Sequence, residues 1–167
     1  MRLTPIALTA AIALATLASA GHSQKPDDQI DARSVALTQQ GQALATQARY
    51  LEATDLLESA LVLDPRNREA YIGLAKAAQG LKLPGKAIKF YFEALKLEPN
   101  DVAALAGQGE ALVQRGAVER AKKNLERIKT LCASPCPQAT QLAAVIAKGP
   151  PAEVITAQRP QAAAPKN

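Results

Sequence analysis

The chain has 167 residues, 48% of them hydrophobic, and a net charge of +5. That length holds one ordinary domain, and so small a positive surplus is accounted for by lysines and arginines scattered over exposed helix faces. One histidine and two cysteines leave little for catalysis by a nucleophile and its base, and they cannot complete a structural zinc site.

Residues 1–20 read as a secretory signal peptide. Met1 and Arg2 give a positive start, Ile6 to Leu17 form an apolar run, and Ala18-Ser19-Ala20 places small residues where a signal peptidase cuts. The run is too short to cross about 30 Å of hydrocarbon comfortably. The expectation is cleavage after Ala20, a periplasmic or secreted protein, and no stable membrane insertion afterwards. A retained amino-terminal anchor is the alternative. Residues 21–33 lead into the first helix.

The register of Ile30, Ser34, Leu37, Gly41, Leu44 and Ala48 predicts a helix over 36–47, begun as early as Asp28, with a second over 50–63. Asn67 is placed to cap a helix over 68–79, ended by Gly80. Pro84 opens the next, which carries Ala87, Ile88, Tyr91, Ala94 and Leu95 on one face until Pro99 stops it. Asp101 caps a helix whose face holds Val102, Leu105, Ala106, Gly109 and Leu112. Gly116 turns the chain, and Ala121, Leu125 and Ile128 line the return. A last helix, 137–148, turns Leu142, Val145 and Ile146 inward. Gly149-Pro150-Pro151 stops it, and 149–167 reads as a disordered tail. No alternating run bounded by turn residues lies between Gly21 and Pro150, so no strand is predicted.

These helices repeat. An interval of 34 residues links Pro65 with Pro99, Ala60 with Ala94, Ala53 with Ala87 and Ala121, Gly41 with Ala75 and Gly109, and Leu44 with Ala78 and Leu112. A period of that length marks a stacked repeat protein. Small residues at 41, 75 and 109 and at 53, 87 and 121 let paired helices approach closely, and Leu57, Tyr91 and Leu125 then fill the space between units. At these positions, with Tyr71 and Leu74 added, the chain resembles the tetratricopeptide repeat family from about Ser34 to Ala133. It departs at the end of the third unit, where Ile128 replaces an alanine and Ala133 a proline. The resemblance implies an all-α solenoid of three helix pairs (34–67, 68–101, 102–133) in a right-handed superhelix, with 134–148 as a capping helix. It also implies a concave groove that receives a peptide or a partner helix.

Repeat geometry draws the groove lining from the first helix of each unit: Thr38, Gln39 and Gln42, then Ile72, Lys76 and Gln79, then Ala106, Glu110 and Gln114. Some members of the family capture a partner's terminal carboxylate with Lys, Arg and Asn. Here Gln42 and Glu110 hold two of the matching places and only Lys76 is positive, so hydrogen bonding to an extended segment fits better. Cys132 and Cys136 enclose three residues; in an oxidising compartment they read as a disulfide stapling the turn before the capping helix. The alternative, a thiol-disulfide factor, lacks both the Cys-x-x-Cys spacing and a βαβ context. His22 reads as a plain polar residue. The basic run Arg115, Arg120, Lys122, Lys123, Arg127 and Lys129 has no interleaved aromatics, which argues against nucleic acid, and pairing of Glu119 with Lys123 and Glu126 with Lys122 explains most of it. The expectation is a non-enzymatic interaction scaffold with a protein or peptide partner and no metal or cofactor, serving envelope assembly or quality control. A structural adaptor tethered by its tail is a further alternative.

Overall fold

The computed structural model describes residues 29–154, so the signal-peptide expectation for 1–20 and the tail expectation beyond 154 lie outside the described residues. Seven helices follow one another without a strand among the described residues: α1 (Ala32–Thr46), α2 (Tyr50–Leu63), α3 (Arg68–Gly80), α4 (Pro84–Leu97), α5 (Val102–Gln114), α6 (Val118–Leu131) and α7 (Pro137–Lys148). No helix among these residues is long and apolar enough to cross a membrane.

Local chemistry sets the helix starts. The side chains of Asn67 and Asp101 accept from the backbone N–H of Ala70 and Ala104, each satisfying a donor that has no partner within its own helix. Pro84 and Pro137 stand in the first turn of α4 and α7, where a missing N–H costs nothing. Asp31 caps α1 through the N–H of Arg33, so that helix begins at Ala32, between the two starts its register allowed.

The turns inside the three pairs share one device. Ala48, Lys82 and Gly116 have φ of 60°, 59° and 84°, in the left-handed region. The residue after each donates back to the fifth residue before it: Arg49 to Leu44 O at 3.0 Å, Leu83 to Ala78 O at 2.8 Å, Ala117 to Leu112 O at 2.8 Å. This closes the carbonyl ends of α1, α3 and α5. Gly80 is not the stop it was expected to be. It is the last residue of α3, and its bare Cα admits the Tyr50 ring, which a Cβ there would penetrate.

Consecutive helices pack antiparallel as pairs (α1 with α2, α3 with α4, α5 with α6), and each pair leans on the next through α2–α3 and α4–α5. Buried side chains from the second helices fill the seams. Leu57 lies between α1 and α3 so closely that a Cβ at Gly41 or Gly73 would come within 2.7 Å of it. Tyr91 makes the equivalent approach to Gly107, so Gly73 and Gly107, also 34 residues apart, are the inter-unit contact points. Gly109 has a different partner from the one its period suggests. The nearest atoms to its missing Cβ belong to Leu142 of α7, at 2.6 Å, and not to α6. The capping helix thus seals the stack by seating Leu142, fully buried, against α5 beside Leu105, Leu125 and Ile128.

The first seam also holds a buried polar knot. Asn67 Nδ2 donates to Ser34 Oγ at 2.8 Å and to Thr38 Oγ1 at 2.9 Å, and Ser34 Oγ donates to the carbonyl of Ala60 at 2.7 Å. One period later Arg68 stands in the place of Ser34 and pairs with Asp101 at 3.0 Å. The same register is held first by hydroxyls and an amide, then by a charge pair.

Candidate functional site

Neighbouring first helices touch one another: α1 with α3, α3 with α5, and α5 in turn with α7. The second helices α2, α4 and α6 make no comparable contacts among themselves within the described residues. A stack closed along one row and open along the other curves around the closed row, so α1, α3 and α5 line the inner face.

On that face Gln42, Ala45 and Thr46 of α1, Tyr50 of α2, and Glu69, Gly73 and Lys76 of α3 surround a hollow of about 440 Å³. Gly73 matters twice. Without a side chain it takes Leu57 from behind, and, itself buried, it lies at the floor of the hollow in front. Further along, Glu110 of α5 accepts from Gln141 Nε2 of α7 at 2.7 Å. Burial raises the Glu110 pKa, while the Gln141 hydrogen bond and the Lys76 charge pull it down by less. Glu110 is therefore a carboxylate short of solvation, with a cation nearby. Tyr91 donates its phenol proton to Gln79 Oε1 at 2.9 Å; its pKa is pushed well up by burial and, secondarily, by the Glu110 charge. Gln79 and Gln114 line a second hollow of about 430 Å³ with Lys82, Pro84, Pro151, Glu153 and Val154.

The nine residues assigned to the groove from sequence thus divide. Gln42 and Lys76 meet in the first hollow, Gln79 and Gln114 in the second; Glu110 is half-buried on α5 and Gln39 is exposed on α1. Thr38, Ile72 and Ala106 are corrected to the interior. Thr38 belongs to the polar knot, Ile72 packs with Tyr91 and Ala87, and Ala106 with Leu125 and Leu142. The cause is rotation: four residues advance a helix by about 400°, so positions 38, 72 and 106 sit about 40° nearer the core than 42, 76 and 110. Sequence reasoning missed Tyr50, Thr46, Glu69, Gly73 and Gln141. Only the Gly73–Gly107 interval could have signalled any of them. Of the other aromatics, Phe90 is half-buried between clusters, while Phe92 is 56% exposed on the outer side.

The other features from the sequence also have places. Cys132 and Cys136 are bonded to each other across the turn between α6 and α7 and pack partly against Leu105 and Leu142. No group of histidine, cysteine and acidic residues fit to hold a metal occurs among the described residues. The α6 pairings are Glu119–Lys122 at 2.8 Å and Glu126–Lys129 at 2.9 Å, not the expected Glu119–Lys123 and Glu126–Lys122, because each lysine meets the acid one turn before it.

No family model matches the chain, and no curated protein matches it. Solved structures do. The first repeat domain of Spaghetti (RPAP3), bound to the HSP90 peptide SRMEEVD, is 26% identical with a TM-score of 0.64, covering 70% of this chain and 91% of that one. The first such domain of human RPAP3 is 25% identical with a TM-score of 0.63, over 70% and 94%. The Yersinia enterocolitica type III secretion chaperone SycD, in complex with a peptide of the translocator YopD, is 19% identical with a TM-score of 0.60, over 68% and 86%. The chain has the fold of these tetratricopeptide-repeat domains: three helix pairs and a cap forming an α-solenoid.

Proposed function

We propose that the chain is a non-catalytic scaffold that binds an extended peptide or partner helix along the face of α1, α3 and α5. The observation that carries this is the 440 Å³ hollow between α1 and α3, where the amide of Gln42 and the charged side chains of Glu69 and Lys76 line one concave face. Similar structures hold peptides: an HSP90 peptide in one, a translocator peptide in another. The polar character here differs from a site for a terminal carboxylate. Lys76 shares the hollow with Glu69, two turns earlier on α3, and its charge reaches Glu110 on α5, so a peptide engages this face by hydrogen bonds and paired charges of both signs. The apolar run before Ala20 supports an exported protein acting in the periplasm or cell exterior, in envelope assembly or quality control. The test is capture from an envelope fraction followed by the double change Lys76→Glu, Gln42→Ala. Partner retention should fall at least about tenfold, the loss expected for about 1.4 kcal/mol of groove contacts. Undiminished retention of every partner moves the site elsewhere. An insulin-reduction assay separates this reading from a thiol-disulfide factor using Cys132 and Cys136.

A further inference from the structure

The ion pairs found on α6 leave charge over. Glu119 and Glu126 are taken by Lys122 and Lys129, so Arg120 and Lys123 keep no acid of their own. On α4, one period earlier, Lys86 and Lys89 hold the matching places, and the acid of that helix, Glu93, is taken by Lys96. The side chains of Lys86, Lys89, Arg120 and Lys123 are exposed, and none makes an ion pair or a side-chain hydrogen bond among the described residues. Arg127 has a neutral partner, Asn100 Oδ1 at 3.2 Å. Two neighbouring helices of the outer row thus carry cations in matching columns, and every carboxylate on those helices is already paired. Glu98, just past α4, accepts from the N–H of Asn100. The unpaired acids of the outer row lie elsewhere, at Asp55 and Glu58 on α2, where Glu52 is held by Arg49.

We propose that the outer face of α4 and α6 docks on a membrane surface rich in anionic lipid. The proposal is independent of the groove reading, since it uses the opposite side of the stack. As the middle helix of a row on the convex side, α4 stands furthest out. It turns Ala87, Tyr91 and Ala94 inward, which leaves Lys89, Phe92 and Lys96 as its outermost stripe. Phe92 is exposed between the two lysines, its ring 6.0 Å from the Lys96 ammonium. An aromatic ring flanked by cations suits the lipid interface: the ring enters the headgroup layer and the ammonium groups stay level with the phosphates. A convex face meets a lipid sheet tangentially, whereas a peptide or a nucleic-acid strand needs a channel, and a lone aromatic offers no stacking ladder. The acids of α2 set the tilt. An anionic surface attracts α4 and α6 and repels Asp55 and Glu58, so the molecule leans with α6 toward the lipid. The inner face then points away from the membrane and stays open to a guest.

Cosedimentation with vesicles of phosphatidylcholine and phosphatidylglycerol, beside vesicles of phosphatidylcholine alone, tests this in the chain from Gly21. That chain keeps every described helix and omits the apolar run Ile6 to Leu17, which would add membrane affinity of its own. At about 0.1 M salt, where charges further than about 10 Å away are screened, it should partition at least about tenfold more strongly to the anionic vesicles. A cation held near such a surface is worth about fivefold, so Lys89→Gln with Lys123→Gln should lower that partitioning about 25-fold. Arg33→Gln with Lys148→Gln removes the same total charge from α1 and α7 and should change it less than about twofold. Phe92→Ala should lower it at least about threefold without changing the salt dependence. Equal binding to both kinds of vesicle overturns the proposal, as do equal losses from the two double variants, because net charge alone is then being read. Full binding by Phe92→Ala removes α4 from the contact and overturns it too. So does tighter binding to a single-stranded RNA than to the anionic vesicles at the same salt, since the partner is then a nucleic acid.

Discussion

Ala48 and Lys82 hold a left-handed conformation that carries a side-chain penalty, which Gly116 at the matching turn avoids. Changing either to glycine should therefore raise stability by up to about 1 kcal/mol, seen as a higher urea midpoint at unchanged slope; Gly116→Ala should lower it by a similar amount. The turns themselves were legible at 116, where glycine announces one, and hidden at 48 and 82, where the repeat imposes the conformation on residues that do not advertise it. Asp64 gives a second test. The Arg66 side chain, and then the backbone N–H groups of Arg66 and Asp31, hold its carboxyl below the ordinary range against an opposing effect of burial. A lowered folded-state pKa means stability that is present above pH about 4 and lost as pH falls through the depressed value. Denaturant titrations between pH 5 and pH 2 should show that loss, and Asp64→Asn should flatten it.

At the level of helices, the 34-residue period revealed the pairs, their order and the caps at Asn67 and Asp101, because capping and periodicity are local chemistry. What it could not reveal was partner choice. Gly41 and Gly109 share a register, yet one meets Leu57 and the other Leu142, since the third unit is followed by a single helix and not by a pair. The same arithmetic placed Thr38, Ile72 and Ala106 on the groove, although a rotation of about 40° decides between wall and core. Helix α7 has only α5 and α6 to lean on. The Cys132–Cys136 bond closes a short loop where it joins, and loop-closure entropy gives about 2 kcal/mol for a loop that small. Reduction should lower the melting temperature by several degrees and loosen α7 first, with retention of a groove-bound peptide persisting; calorimetry with and without reductant measures the first part.

Taken as a whole, the molecule is nearly one-dimensional, each unit touching only the next. The middle pair, α3 and α4, has a neighbour on both sides and contributes Leu74, Ala77, Tyr91 and Ala94 to the two largest clusters of buried side chains. Hydrogen exchange should thus be slowest in α3 and α4, faster in α1 and α2, and fastest in α7. Uniform protection across all seven helices would show instead that the stack opens only as one unit. The asymmetry between its two rows has a mechanical consequence. With first helices in contact and second helices apart, the outer side can open or close like the leaves of a fan while the inner row stays joined. A guest of different girth then costs the molecule a small change of pitch spread over several seams, and no single seam has to break.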